Sequence, residues 1–213
     1  MLIFIGPPGS GKGTQSRLLN QRLGLKIFSV GEILREEIAN NSLIGKKIEQ
    51  TIRSGHFADL DIVISLMESR IQDADCILDG FPRNIEQADS LEKFIQSNDQ
   101  FDLKNVIAVN FVVPEDKLIE RLAHRRICRI CDASILCSAS ECNFCGHESG
   151  DAYTRCDDTK ETIKERIKQY HDQSEPLIDY YIKRGIYFAI DATSDVESVY
   201  NQLTSCIKAK NLM

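Results

Sequence analysis

Long hydrophobic runs are missing from this 213-residue chain. No apolar stretch approaches the roughly 20 residues that cross a bilayer as a helix, so the reading has no membrane span. Met1-Leu-Ile-Phe-Ile runs straight into Gly6-Pro7-Pro8. That apolar run is too short for a secretory leader and lacks a basic lead-in; a cytoplasmic protein is expected. An excess of positive charge is missing as well. With 26 basic and 32 acidic side chains the formal net charge is −6, which argues against nonspecific nucleic-acid binding but leaves room for a local basic cluster around a small polyanion. Internal repeats, low-complexity tracts and long linkers are also absent.

What is present alternates. Short runs rich in β-branched or aromatic residues occur at Leu2–Ile5, Lys26–Ser29, Cys76–Asp79, Asn105–Val113 and Ile186–Ile190. Bounded by turn residues, they read as strands buried on both faces. Helical patterns fall between them at Lys12–Leu23, Gly31–Asn40, Ser42–Arg53, Leu60–Gln72, Ile85–Gln96, Pro114–Arg126, Thr159–Lys183 and Asp195–Lys208. Alternation of this kind implies parallel βαβ units, hence an α/β fold. Two stretches break the rhythm: the interval before Cys76, with room for three short helices, and a Cys-, Ser- and Gly-containing segment from about His124 to Asp158. Both read as insertions above the carboxyl ends of the strands, where open α/β sheets bind ligands.

Gly6-Pro-Pro-Gly-Ser-Gly-Lys-Gly-Thr14 follows G-x-x-x-x-G-K-[ST] with one glycine, Gly13, between Lys12 and the hydroxyl residue Thr14, and sits between the first strand and a helix. Backbone N–H groups of Gly9, Ser10, Gly11 and Gly13 can face a phosphate, aided by the helix N-terminus. Lys12 should reach the β- and γ-phosphates, and the Thr14 hydroxyl can face Mg²⁺. The cradle implies nucleotide binding without naming a reaction. Asp79, at the end of an apolar strand, is a candidate to hold Mg²⁺ through its waters.

Eight cysteines in a cytosolic chain favour metal or bare thiols over disulfides. Cys128-x-x-Cys131 and Cys142-x-x-Cys145 form two knuckles ten residues apart, the pattern of a closed, structural Cys₄ zinc site. Disulfides or free thiols are the alternative, and Cys137 or Cys156 could replace a knuckle cysteine. Cys76 and Cys206 read as packed core thiols. His147 lies close to a shell that four cysteines already complete.

Spread over nearly the whole chain, G-P-P-G-S-G-K-G-T-Q, Phe28-Ser-Val-Gly-Glu-Ile-Leu-Arg35, Leu78-Asp-Gly-Phe-Pro-Arg-Asn-Ile-Glu-Gln87, Arg121-x-x-x-Arg125-Arg126 and Arg155-Cys-Asp-Asp158 resemble the adenylate kinases in order and spacing. The resemblance implies a P-loop NTPase three-layer core with a five-stranded parallel sheet (1–28, 59–123 and 159–213), an AMP-binding insertion (29–58) and a zinc-binding lid (124–158). It also implies reversible transfer between ATP and AMP to give ADP, with Mg²⁺ and a structural Zn²⁺ and no macromolecular partner, in a monomer. Arg35 and Arg83 would grip the AMP phosphate, with Gly80, Phe81 and Pro82 shaping that turn and Gln87 reading the adenine edge. Arg121, Arg125, Arg155 and Arg166 would neutralise the transferring phosphoryl group, joining Lys12. Ser134, Ile135 and Ser194 would touch ATP, and Glu32 would stand near the Mg²⁺ waters.

Several positions depart from the family pattern. Val30 stands where a threonine near the AMP base is common, Glu32 replaces an aspartate, and His56-Phe57-Ala58 replaces a Lys-Leu-Val-like stretch that lines the base pocket; the resemblance still implies AMP contacts from Val30, His56, Phe57 and Ala58. Ser134-Ile135 replaces a polar–aromatic pair in a lid loop that is shorter than usual. Arg121 and Arg125, four apart on an expected helix, would share one face; Asp158 with Glu161 would form a capping box opening the long helix that carries Arg166. The rival readings are a sister kinase acting on UMP or CMP, one using GTP, and a nucleic-acid-binding module built on the Cys₄ knuckle.

Overall fold

The computed structural model describes residues 1–210 except Gly55, Phe57, Gln72, 136–138 and 156–157, and except the side chain of Glu68. Strand β1 (Leu2–Ile5) leads through the glycine loop into α1 (Lys12–Leu23), and β2 (Lys26–Ser29) follows. Helices α2 (Val30–Ala39), α3 (Leu43–Arg53) and α4 (Leu60–Arg70) precede β3 (Cys76–Asp79). Next come α5 (Ile85–Gln96), β4 (Ile107–Val112) and α6 (Glu115–Ala123). A small hairpin, β5 (Arg126–Ile127) with β6 (Ser134–Ile135), opens the cysteine segment; α7 (Lys160–Gln169), α8 (Leu177–Lys183), β7 (Tyr187–Asp191) and α9 (Val196–Ala209) complete the chain.

Five strands form one parallel sheet in the order β2-β3-β1-β4-β7, as the alternation implied. Because side chains alternate along each strand, the sheet divides the apolar residues between two cores. Leu2, Phe4, Ile77, Ile107, Val109, Phe111 and Ile190 pack on Leu18 and Leu19 of α1 and on Val199, Leu203 and Ile207 of α9. Ile3, Ile5, Leu78 and Ala108 face the other way, onto Leu34, Met67, Leu91, Leu177 and Tyr181 from α2, α4, α5 and α8. Each fully buried Leu or Ile contributes roughly 1.5–3 kcal/mol, so this three-layer arrangement is held from both faces. No helix among the described residues is long and apolar enough to cross a membrane.

The strand and helix bounds follow the expectations closely, with two corrections. Helix α6 stops at Ala123, capped by His124, because Arg126 already pairs with Ile135 in the hairpin. Arg121 and Arg125 therefore do not share a helical face. The expected helix Thr159–Lys183 is likewise interrupted. A π-helical turn, Tyr170–Ser174, separates α7 from α8, just before Pro176, which has no N–H and cannot continue the ladder. Nor does Asp158 cap α7: the Thr159 side chain accepts from the Thr162 N–H, and Asp158 is used elsewhere.

Candidate active site

Beyond the carboxyl ends of β1 and β3 lies a cleft of about 1350 Å³. Its floor is the glycine loop. Gly9 sits at φ 83°, and a Cβ there would come within 2.9 Å of Leu122 Cγ, so only glycine lets the loop press against α6. Residues 9–14 all line the cleft. The Lys12 ammonium folds back onto the loop, donating to Gly6 O at 2.6 Å and Pro7 O at 2.8 Å. Burial pulls its pKa down to about 8; Asp79 opposes this, while Arg83, Arg166 and Arg125 add to it. Asp79 ends β3 opposite Phe4 and Ser29. Burial raises its carboxyl pKa, against the pull of Lys12. Glu32 lines the same cleft and accepts from Arg17 Nη2 at 2.8 Å.

Arg35, Arg83, Arg121, Arg125, Arg155 and Arg166 all reach this one cleft. Arg83 leaves a sharp turn in which Gly80 has φ 77° and the Phe81–Pro82 peptide is cis; its Nε donates to Gly80 O at 2.8 Å. Burial and then Arg166 bring the Arg83 guanidinium down to about 10. Arg121 donates to Ala192 O at 2.9 Å, in the turn that carries Ser194, itself part of the lining. Arg125 donates from Nε to Asp158 Oδ2 at 2.8 Å, and Arg166 pairs with Oδ1 of the same carboxylate at 3.3 Å. The Asp158 side chain is fully buried. Sequence reasoning assigned Asp158 to a helix cap and missed it as the carboxylate that gathers two arginines; the signal was only its place beside Arg155.

The other expected contacts divide. Ser134, Ile135, Gly80 and Pro82 line the cleft. Val30, Ala58 and Phe81 are buried in the core instead. Gln87 is buried too, and its Oε1 accepts from the Arg83 N–H at 2.8 Å. His56 is exposed, its Nδ1 3.1 Å from Ser54 Oγ and its Nε2 3.7 Å from Glu165. Phe57 lies outside the described residues, as do Cys137 and Cys156. Phe144, which sequence reasoning did not single out, lines the cleft while packing against both the cysteine cluster and the α1/α9 core.

Above the cleft, the sulfurs of Cys128, Cys131, Cys142 and Cys145 all lie within 4.8 Å of one another. The closest pairs are Cys128–Cys145 at 3.6 Å and Cys131–Cys142 at 3.5 Å. Four thiolates about 2.3 Å from one tetrahedral ion have their sulfurs at such spacings, so the residues fit a single structural metal. The knuckle backbones are preformed: Asp132 N–H donates to Cys128 O at 3.0 Å, and Gly146 N–H to Cys142 O at 2.8 Å. Backbone N–H groups of Cys131 and Ile130 lower the Cys128 thiol to about 7, whereas burial pushes Cys131 up to about 12. Four sulfurs this close could all be thiolates only with a cation among them. His147 turns away to Asp151, at 3.2 Å. Cys76 is buried and Cys206 half-buried, each packed in a core cluster.

The comparisons with known proteins agree with this geometry. The family profile described as adenylate kinase matches residues 4–186. An adenylate kinase of Archaeoglobus fulgidus is 38% identical over 214 residues, covering 97% of this chain and 97% of the relative. One from Thermodesulfovibrio yellowstonii is 36% identical over 219 residues, covering 98% and 99%. Another, from Caldicellulosiruptor saccharolyticus, is 40% identical over 195 residues, covering 87% and 88%. The chain belongs to the adenylate kinase family.

Proposed function

We propose that this member of the adenylate kinase family catalyses ATP + AMP = 2 ADP by direct in-line transfer, without a phosphoenzyme. One observation carries the reading: in a chain of net charge −6, two lysines and eight arginines, against seven carboxylates, line a single cleft floored by a phosphate loop, Lys12 and the six arginines named above among them. Crowded cations raise one another's energy, and two nucleotide phosphate chains end to end relieve that repulsion. A loose phosphoryl-transfer transition state needs alignment and charge neutralisation rather than a nucleophilic side chain.

Each group then has a task. Lys12 leaves the carbonyls of Gly6 and Pro7 for the β- and γ-phosphates, joining the amides of residues 9–14. Arg35 and Arg83 hold the AMP phosphate. Arg121, Arg125, Arg155 and Arg166 neutralise the phosphoryl group in flight, the last three grouped around or beside Asp158. Donors aimed at developing charge contribute roughly 3–4 kcal/mol each. Ser134, Ile135 and Ser194 serve the ATP side; the Gln87 amide group serves adenine while its carbonyl holds Arg83. Thr14, Asp79 and Glu32 would hold Mg²⁺, which would supply neutralisation of the phosphate charge. The fit rests on Asp79, whose carboxylate ends β3 against the glycine loop, 3.5 Å from where a Gly13 Cβ would stand, and lines the cleft with Thr14 and Glu32. Segment 29–58 acts as the AMP-binding domain, and 124–158 as a lid stapled by Zn²⁺ whose closure excludes water from the transfer. The reading takes the protein as a monomer of the cytoplasm, where a thiol-rich composition is at home.

The test is a coupled assay offering ATP or GTP against AMP, UMP, CMP and GMP. ADP formation fastest from ATP with AMP is expected. Faster turnover of UMP or CMP, or none from any pair, would overturn the assignment.

A further inference from the structure

Arg83 is fixed twice over. Its side chain is held by its own turn, through Nε and Gly80 O. Its backbone is held from outside, and by two different elements. Gln87 Oε1, in the first turn of α5, accepts from the Arg83 N–H at 2.8 Å. At the residue's other peptide group, Ser174 Oγ donates to the Arg83 carbonyl at 2.7 Å, across 91 residues of sequence. Gln87 is 2% exposed and Ser174 6%, so neither bond competes with bulk water, and losing either leaves a buried polar group without its partner.

Ser174 reaches this position because of the interrupted helix. It closes the π-helical turn that begins at Tyr170, where the Glu175 N–H donates to Tyr170 O at 2.9 Å. The extra residue in such a turn changes the direction in which later side chains point. Here Tyr170 and Ser174 both line the cleft. The same chain segment carries Arg166 one element earlier, in α7. A serine at the end of the widened turn thus ties the backbone of one cleft arginine to the helix that carries another. π-Turns within helices recur at functional sites.

We propose that Ser174 is a positioning residue for the phosphoryl acceptor: its hydroxyl, with Gln87 on the other side, holds the Arg83 backbone so that the guanidinium meets the AMP phosphate in register with Arg166. This rests on the assignment of Arg83 to the AMP phosphate. A guanidinium gripping phosphate through paired N–H groups tolerates little error, and functional groups need to be held within about 0.5 Å. Ser174 touches neither nucleotide in this scheme and acts through Arg83.

The experiment is a double-mutant cycle on the metal-replete full chain, reading AMP and ATP dissociation constants by calorimetry and turnover by the coupled assay. Ser174→Ala should weaken AMP binding about three- to tenfold, the scale of one buried hydrogen bond, lower kcat, and leave ATP affinity within about twofold. Ser174→Thr, which keeps the donor, should restore most of the loss. In an Arg83→Ala background, Ser174→Ala should add less than about twofold to the AMP defect, because the two residues act as one unit. Equal weakening of AMP and ATP, or a full further loss in the Arg83→Ala background, would reduce Ser174 to structural support and overturn the proposal. Arg83→Ala binding AMP as tightly as the parent would instead remove Arg83 from the AMP site, and the proposal with it.

Discussion

The glycine loop and the cysteine lid face the same cleft, yet they are held in place by different physics. Beneath the loop, β1 is sandwiched between two apolar cores, with Leu2, Ile3, Phe4 and Ile5 each at most 3% exposed. The lid has almost nothing of the kind. Among the described residues its cluster consists of Cys128, Ala133, Ile135 and Cys142, with Cys131, Phe144 and Ala152 partly buried beside it, and its paired strands there are two residues long. Apolar burial fixes the glycine loop; four clustered sulfurs, placed to share one metal, mark the cysteine segment. On the proposed function, that division would keep the floor preformed while the cover moves as a small unit.

The difference can be broken at either end. The largest effect is expected at the floor: Lys12→Met should cut turnover about a hundredfold or more while leaving the thermal midpoint nearly unchanged, since the side chain contributes charge rather than packing. Steady-state kinetics beside a melting curve would check this, and near-normal turnover would remove Lys12 from the chemistry. At the cover, stripping the metal with a chelator should lower turnover about tenfold or more. Limited proteolysis should then cut within 124–158, with the main unfolding transition of the sheet preserved. A single cooperative collapse of the whole molecule would show that lid and floor are not independent.

Between the two lies Asp158, whose carboxylate gathers Arg125 and Arg166. Removing one member of a buried ion pair costs about 3–5 kcal/mol. Asp158→Ala should therefore lower the melting midpoint clearly and reduce kcat, a joint loss that neither Lys12→Met nor demetallation produces in that combination. The smallest effect is on pH. Because Lys12 titrates near 8 rather than its ordinary 10.5, and phosphate binds its protonated form, ATP affinity should be flat below pH 8 and weaken above it, by at most about tenfold per unit. The sign for stability is opposite: between about pH 8 and 10.5 the unfolded chain holds the proton that the folded chain has lost, so the nucleotide-free protein gains stability as pH rises through that window. Calorimetric titrations with proton-uptake correction would test the first, and melting curves across the window the second.

Much of the floor was legible in the sequence because its signals are local. Short β-branched runs marked the strands to within a residue or two, and the spacing of Gly6, Gly11 and Lys12 between a strand and a helix stated the loop. The two Cys-x-x-Cys knuckles were legible for the same reason. What escaped reading depends on distant partners. Asp158 looked like a cap because capping is a nearest-neighbour pattern, whereas its true partners, Arg125 and Arg166, are 33 and 8 residues away. The end of α6 carried no helix-stopping residue; pairing of Arg126 with Ile135 decided it. Pro176 signalled a break, but no pattern foretold a π-turn that delivers Ser174 to Arg83. Gln87 was read for its donor and acceptor capacity toward a base, and its carbonyl proved to be bound to a peptide N–H at home.

The most direct test of the whole is a single turnover with ATP labelled in its γ-phosphate, mixed with AMP and Mg²⁺ on excess enzyme and quenched at intervals. Label should pass from ATP to the ADP formed from AMP, with none on the protein and little in free phosphate. Label accumulating on the protein, or released chiefly as phosphate, would contradict direct transfer between two nucleotides held end to end in one closed, cationic cleft.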